Sequence, residues 1–161
     1  MSLALYDQIR AHLVALAQAP TPVSDPGQAG PLLERCAALG RAQASGAASQ
    51  AEVRAFFREM APYLTFQTVA RISWQLRRLE RVLFEFPEDP AAWEQICTQR
   101  SGLQVLLDST EGWDAGEVLA SYATPEGLDD AMERASTTRS LRIQIPSGTP
   151  EGHRWWWLVH A

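Results

Sequence analysis

The chain contains no lysine and no asparagine; all 14 of its basic residues are arginine. Both missing residues have AT-rich codons, so the simplest source is a GC-rich bacterial genome. The chemical consequences hold whatever the cause. Without lysine there is no side-chain Schiff base, no Walker-type phosphate lysine and no kinase-type lysine. Without asparagine there is no N-glycosylation acceptor and no Cys-His-Asn triad. Cysteine is nearly absent too. Cys36 and Cys97 stand alone, without CxxC spacing, and read as reduced, buried thiols. His12, His153 and His160 form no ligand spacing with either thiol, so neither a metal nor a cofactor is expected. No apolar run approaches the ~18 residues of a membrane span. Asp7 and Arg10 interrupt the N-terminus before a signal-peptide core can form. The expectation is a cytoplasmic protein that does not engage a membrane.

What remains describes a folded domain. The 161 residues suit one domain covering 1–161, and 46% hydrophobic content with six tryptophans supplies a core. The net charge of -5 is unevenly spread. Residues 1–100 carry ten arginines and ten acids, whereas residues 101–161 carry four arginines and nine acids. Between Ser101 and Glu133 there are eight acids and no arginine.

Helical periodicity runs through the first hundred residues. Leu5, Ile9, Leu13 and Leu16 mark a helix over about 3–18, and Leu32, Leu33, Cys36 and Leu39 a second that ends near Gly40. Between them the proline-rich stretch from Ala19 to Gly27 reads as a loop. Ser49 and Glu52 form a capping box for a third helix. The longest element spans about 65–86 with an unbroken apolar stripe from Phe66 to Phe86, and Asp89-Pro90 opens the next. After Gly102 the run Leu103–Leu107 reads as a short strand. Helices follow from Asp114 to Tyr122 and after Thr124-Pro125. Leu141, Ile143 and Ile145 alternate as a half-buried strand, and His153–His160 returns as the last. The expected fold is α+β and mainly α-helical: a helical bundle over 1–100, then a small acidic β-α-α-β-β part over 101–161. Its three-stranded sheet ends in an antiparallel hairpin.

Three surfaces stand out. On the 65–86 helix, Arg71, Arg77, Arg78 and Arg81 surround Trp74 on the side away from the apolar stripe. Arginine recognises carboxylate or phosphate and tryptophan anchors interfaces. Glu126, Asp129, Asp130 and Glu133 fall at i, i+3, i+4 and i+7, a carboxylate stripe that could dock the arginine face, a basic partner or a cation. In a strand, Trp155 and Trp157 would point opposite to Trp156, so both faces of the last strand need cover, and Trp156 is a candidate for contact with a partner. No GxSxG, HExxH, Walker or dinucleotide pattern frames a catalytic residue, and nothing in the spacing of Cys97, Asp108 and His153 requires them to meet. The favoured reading is a non-enzymatic interaction module (adaptor, regulator or immunity-type protein) that binds another protein, with self-association as a further option. The eight-acid stretch argues against duplex DNA. The alternative is a small enzyme or ligand-binding protein with a Trp- and His153-lined pocket between the helices and the sheet.

Overall fold

A computed structural model describes residues 3–20, 26–137 and 139–160. Most of the Ala19–Gly27 loop lies outside these. Among the described residues seven α-helices follow in chain order: α1 (Leu3–Gln18), α2 (Ala29–Ala44), α3 (Gln50–Met60), α4 (Phe66–Glu85), α5 (Pro90–Thr110), α6 (Asp114–Tyr122) and α7 (Glu126–Ser136). Single 3-10 turns occupy Ala61–Tyr63 and Arg154–Trp157. The start signals at Ser49 and Asp89 act as their chemistry requires and Thr65 adds a cap that the periodicity did not identify, whereas no side chain caps α7 at Pro125. Ser49 accepts from the Glu52 N–H at 3.1 Å, Thr65 from Thr68 at 3.2 Å and Asp89 from Ala91 at 3.0 Å.

The expected sheet does not form. Among the described residues the only β contact is an isolated parallel bridge between Leu141 and His160. Residues 103–107 are the second half of α5, and residues 153–160 contain a 3-10 turn. Each departure has a cause. Counted from Trp93 rather than restarted at Leu103, the buried positions 93, 96, 97, 100, 103, 106 and 110 keep a helical period. Gly102, which looks like a break, is a packing residue: a Cβ there would lie 1.8 Å from the Leu33 carbonyl oxygen of α2. Gly40 likewise does not end α2; its Cα faces Val105, whose methyl would lie 2.6 Å from an added Cβ. The two helices cross this closely because glycine leaves their backbones bare.

At the C-terminus, Trp155 and Trp156 are both buried although adjacent. A strand sends neighbours to opposite faces, so burying both against one surface requires a helical turn instead. Leu141, Ile143 and Ile145 lie in a segment without regular structure beyond the Leu141 bridge, with Ile143 buried.

The central element is α5, which at 21 residues is also longer than the 20-residue α4. Its buried residues point in every direction, from Ala92, Trp93, Ile96 and Cys97 to Leu103, Val105 and Leu106. It runs uninterrupted across residue 100, where the charge balance changes. Its two ends are tied to neighbours: the Trp93 indole donates to the Pro87 carbonyl, and Arg54 donates to the carbonyls of Asp108 and Glu111. That places a guanidinium at the negative end of the α5 dipole. Arg54 and Arg58 also lie 4.7 Å from the Trp113 ring centre. By contrast α4 buries one side only, through Val69, Ile72, Leu76, Leu79 and Leu83.

Candidate functional site

Two regions carry the chemistry of this chain: the outward face of α4 and a cleft beneath the C-terminal segment.

On α4, Trp74 is 40% exposed, and Arg77, Arg78 and Arg81 are exposed beside it. The Arg77 guanidinium carbon stands 5.9 Å from the Trp74 ring centre, a loose cation–π contact. Phe84 continues the ridge one turn further and is 87% exposed. Arg71 does not share this surface. It is buried and donates to the Pro20 carbonyl at 2.7 Å, holding the α1 end against α4.

The acidic stripe divides as well. Glu126, Asp130 and Glu133 are exposed on α7, while Asp129 turns toward α5. There it accepts a bidentate pair from Arg100, at 2.7 Å from Nε and 3.1 Å from Nη2. Arg100 also donates to the Gln104 side chain, and Gln104 to Asp108, so one polar chain follows an i, i+4, i+8 row of α5. Among the described residues no ion pair joins Arg77, Arg78 or Arg81 to the stripe. The docking arginine is Arg100. Its signal was present: a charge at an apolar position of the helix period, only 4% exposed here, requires a carboxylate or other acceptor to pair with it.

Trp156 offers no surface. At 2% exposure its indole donates to the Ser101 hydroxyl at 2.9 Å. The Trp155 indole donates to the same oxygen at 3.1 Å and to the Cys97 carbonyl at 3.2 Å. Both hydroxyl lone pairs are thereby occupied, so the Ser101 proton goes to His153 Nδ1, 2.9 Å away. This fixes His153 as the neutral tautomer with hydrogen on Nε2. The ring stacks on Trp155 at 4.6 Å between centres, and Arg100 lies 4.0 Å from the Trp155 ring centre.

A cleft of about 660 Å³ opens between α5, α7 and the C-terminal segment, with Trp155, Met132 and Leu158 as apolar lining and His153, Asp108, Glu133 and Arg154 as polar groups. His153 and Asp108 therefore do meet at one cleft, and Cys97 contacts Trp155 behind it, its thiol 3.6 Å from the Trp155 carbonyl. The Ser101–His153 contact is not a hydrolase pair, because the serine oxygen is enclosed by two indole donors and has no free lone pair. Burial pushes the Cys36 and Cys97 thiols well above their usual range, so neither is a ready nucleophile. No group of three metal-binding side chains occurs among the described residues.

Burial, followed by the charge of Arg100, lowers the His153 pKa, against a smaller opposing pull from Asp108. The unfolded chain thus takes up the proton first as pH falls. The stability held by neutral His153 is complete above the unfolded value of about 6.5 and is lost as pH drops through the lower folded value. Urea midpoints measured from pH 8 to pH 5 are expected to decline in that window. His153→Gln should flatten the decline, since glutamine can accept the Ser101 proton but does not titrate.

No protein-family model, curated protein or solved structure matches this chain.

Proposed function

We propose that the chain is a protein-interaction module that presents the outward face of α4 to an acidic partner surface. One observation carries this reading: Trp74 stands exposed on the open side of a helix, with Arg77, Arg78 and Arg81 around it and Phe84 beyond. Exposed aromatics next to arginines have the composition of interface anchors. The helical bundle beneath supplies a rigid support. A cytoplasmic location suits two buried free thiols, and among the described residues no helix is long and apolar enough to cross a membrane.

Arg78→Glu is expected to leave unfolding free energy within about 0.5 kcal/mol of the parent, as surface changes do. The same change, or Trp74→Ala, should remove the partner recovered by affinity capture from the source cell. Variants that alter neither would return this face to an ordinary solvated surface.

A second reading has its own observation. His153 lines the cleft and, among the described residues, no protein group bonds its Nε2. That leaves a donor for a small ligand lying against Trp155. The site is bounded by α5, α7 and the C-terminal 3-10 turn rather than by a sheet. A titration that shifts the His153 and Trp155 resonances without affecting α4 would favour it.

A further inference from the structure

We infer that the groove between α4 and α7 is the contact surface of a two-fold dimer, in which Phe84 of each copy enters the groove of the other. The inference rests on reading α4 as an interaction face and names its partner as a second copy of this chain.

The groove holds about 330 Å³ and is lined by Leu83, Pro87, Ala131 and Ala135, with Glu80 and Arg134 among its polar groups. Phe84 stands at this same groove, yet its ring is almost wholly in solvent. A projecting aromatic ring and an apolar recess therefore occupy one patch. An isologous interface has this requirement: a patch turned through 180° onto itself must carry both knob and hole. A foreign partner would need only one of them.

Charge follows the same symmetry. The basic residues Arg77 and Arg81 lie on the outward side of α4, and the exposed acids Glu126 and Asp130 lie on α7, which packs directly against α4 and also brings the exposed Arg134 to the groove, while Glu133 belongs to the His153 cleft. Among the described residues no ion pair engages these charges, so both sets remain available. A two-fold axis at the α4–α7 seam lays each basic helix across the acidic helix of the other copy. Arg77 and Arg81 are four residues apart, as are Glu126 and Asp130, so each pair spans about 6 Å along its helix. The spacings allow two ion pairs at each of the two symmetric crossings.

Sedimentation equilibrium across micromolar to sub-millimolar protein tests this. The parent chain should pass from one-chain to two-chain mass as concentration rises, with weaker association at high salt. Phe84→Ser should raise the dissociation constant at least about tenfold, the effect of losing a central anchor. The sharper test mixes two variants. Arg81→Glu alone and Asp130→Arg alone should each associate poorly, since like charges then face one another at both crossings. Mixed together they should form a heterodimer, because every crossing again carries opposite signs. This arm also replaces the Phe84 arm if that variant does not fold. A one-chain mass at the highest concentration overturns the inference, as does a parent dimer that both Phe84→Ser and the charge swap leave unchanged. If the chain stays monomeric while Trp74→Ala still abolishes a captured complex, the dimer falls and the interaction face stands.

Discussion

Replacing Gly102 by alanine is expected to cost the protein at least about 3 kcal/mol, and to abolish cooperative unfolding if the parent is only marginally stable. The added Cβ would stand 1.8 Å from the Leu33 carbonyl oxygen, 2.6 Å from its carbonyl carbon and 2.9 Å from its Cα. All three are backbone atoms of a helix, so no rotamer change relieves the clash. Either α2 moves away from α5, which opens gaps around Leu32, Leu33 and Leu103, or one helix breaks its own hydrogen bonds. Alanine's better helix propensity, about 1 kcal/mol over glycine, offsets only part of this. Gly152→Ala is the control, for nothing lies within 4 Å of a methyl added there; it should change stability by less than about 0.5 kcal/mol. Chemical denaturation followed by circular dichroism decides between them. A Gly102→Ala midpoint equal to that of the parent would show that the α2–α5 crossing is slack.

The second large effect is expected at Ser101. Its single hydroxyl serves the indoles of Trp155 and Trp156 and the ring of His153. Ser101→Ala leaves the buried Trp156 N–H without its acceptor, and leaves His153 Nδ1 without a donor. Trp155 keeps the Cys97 carbonyl. Each stranded buried group costs about 1–3 kcal/mol, so a loss of about 3 kcal/mol is expected. A double-mutant cycle separates this from cavity formation. In a Trp156→Phe background the indole donor is already gone, so Ser101→Ala should cost clearly less there than in the parent. Equal costs in both backgrounds would mean that the Trp156–Ser101 bond contributes nothing.

How far the sequence disclosed this molecule depended on whether a signal was local. The caps at Ser49 and Asp89 act within three residues, and the helices they open lie where periodicity put them. The one-sided stripe of α4 was legible because α4 lies at the surface, where a buried face and a wet face differ. In contrast, α5 is enclosed nearly all round and has no wet face to set the period, so its second half resembled a strand. Gly40 and Gly102 were ambiguous for a related reason: a glycine that ends a helix and one that lets two helices touch look alike until the partner is known. The exposed ridge of Trp74, Arg77, Arg78 and Arg81 could be read from helix geometry alone. The contact of Arg100 with Asp129, 29 residues away, and the gathering of three rings on Ser101 depend on how distant segments meet. The three consecutive tryptophans misled because strand alternation was applied to a helical turn, in which two of the indoles, Trp155 and Trp156, share one acceptor while Trp157 is exposed.

The tight pairing of α2 with α5 also bears on how the chain reaches its fold. Glu34 and Gln99, bonded across this pair, are 65 residues apart in sequence. Closing a loop of that length brings an entropic cost that local helix formation does not repay, and high contact order slows folding. During synthesis, α1 to α4 emerge with Leu32, Leu33 and Leu39 still lacking the surface they pack on. The nascent chain therefore carries exposed apolar helix faces until α5 has left the ribosome, the kind of transient exposure that favours aggregation over folding.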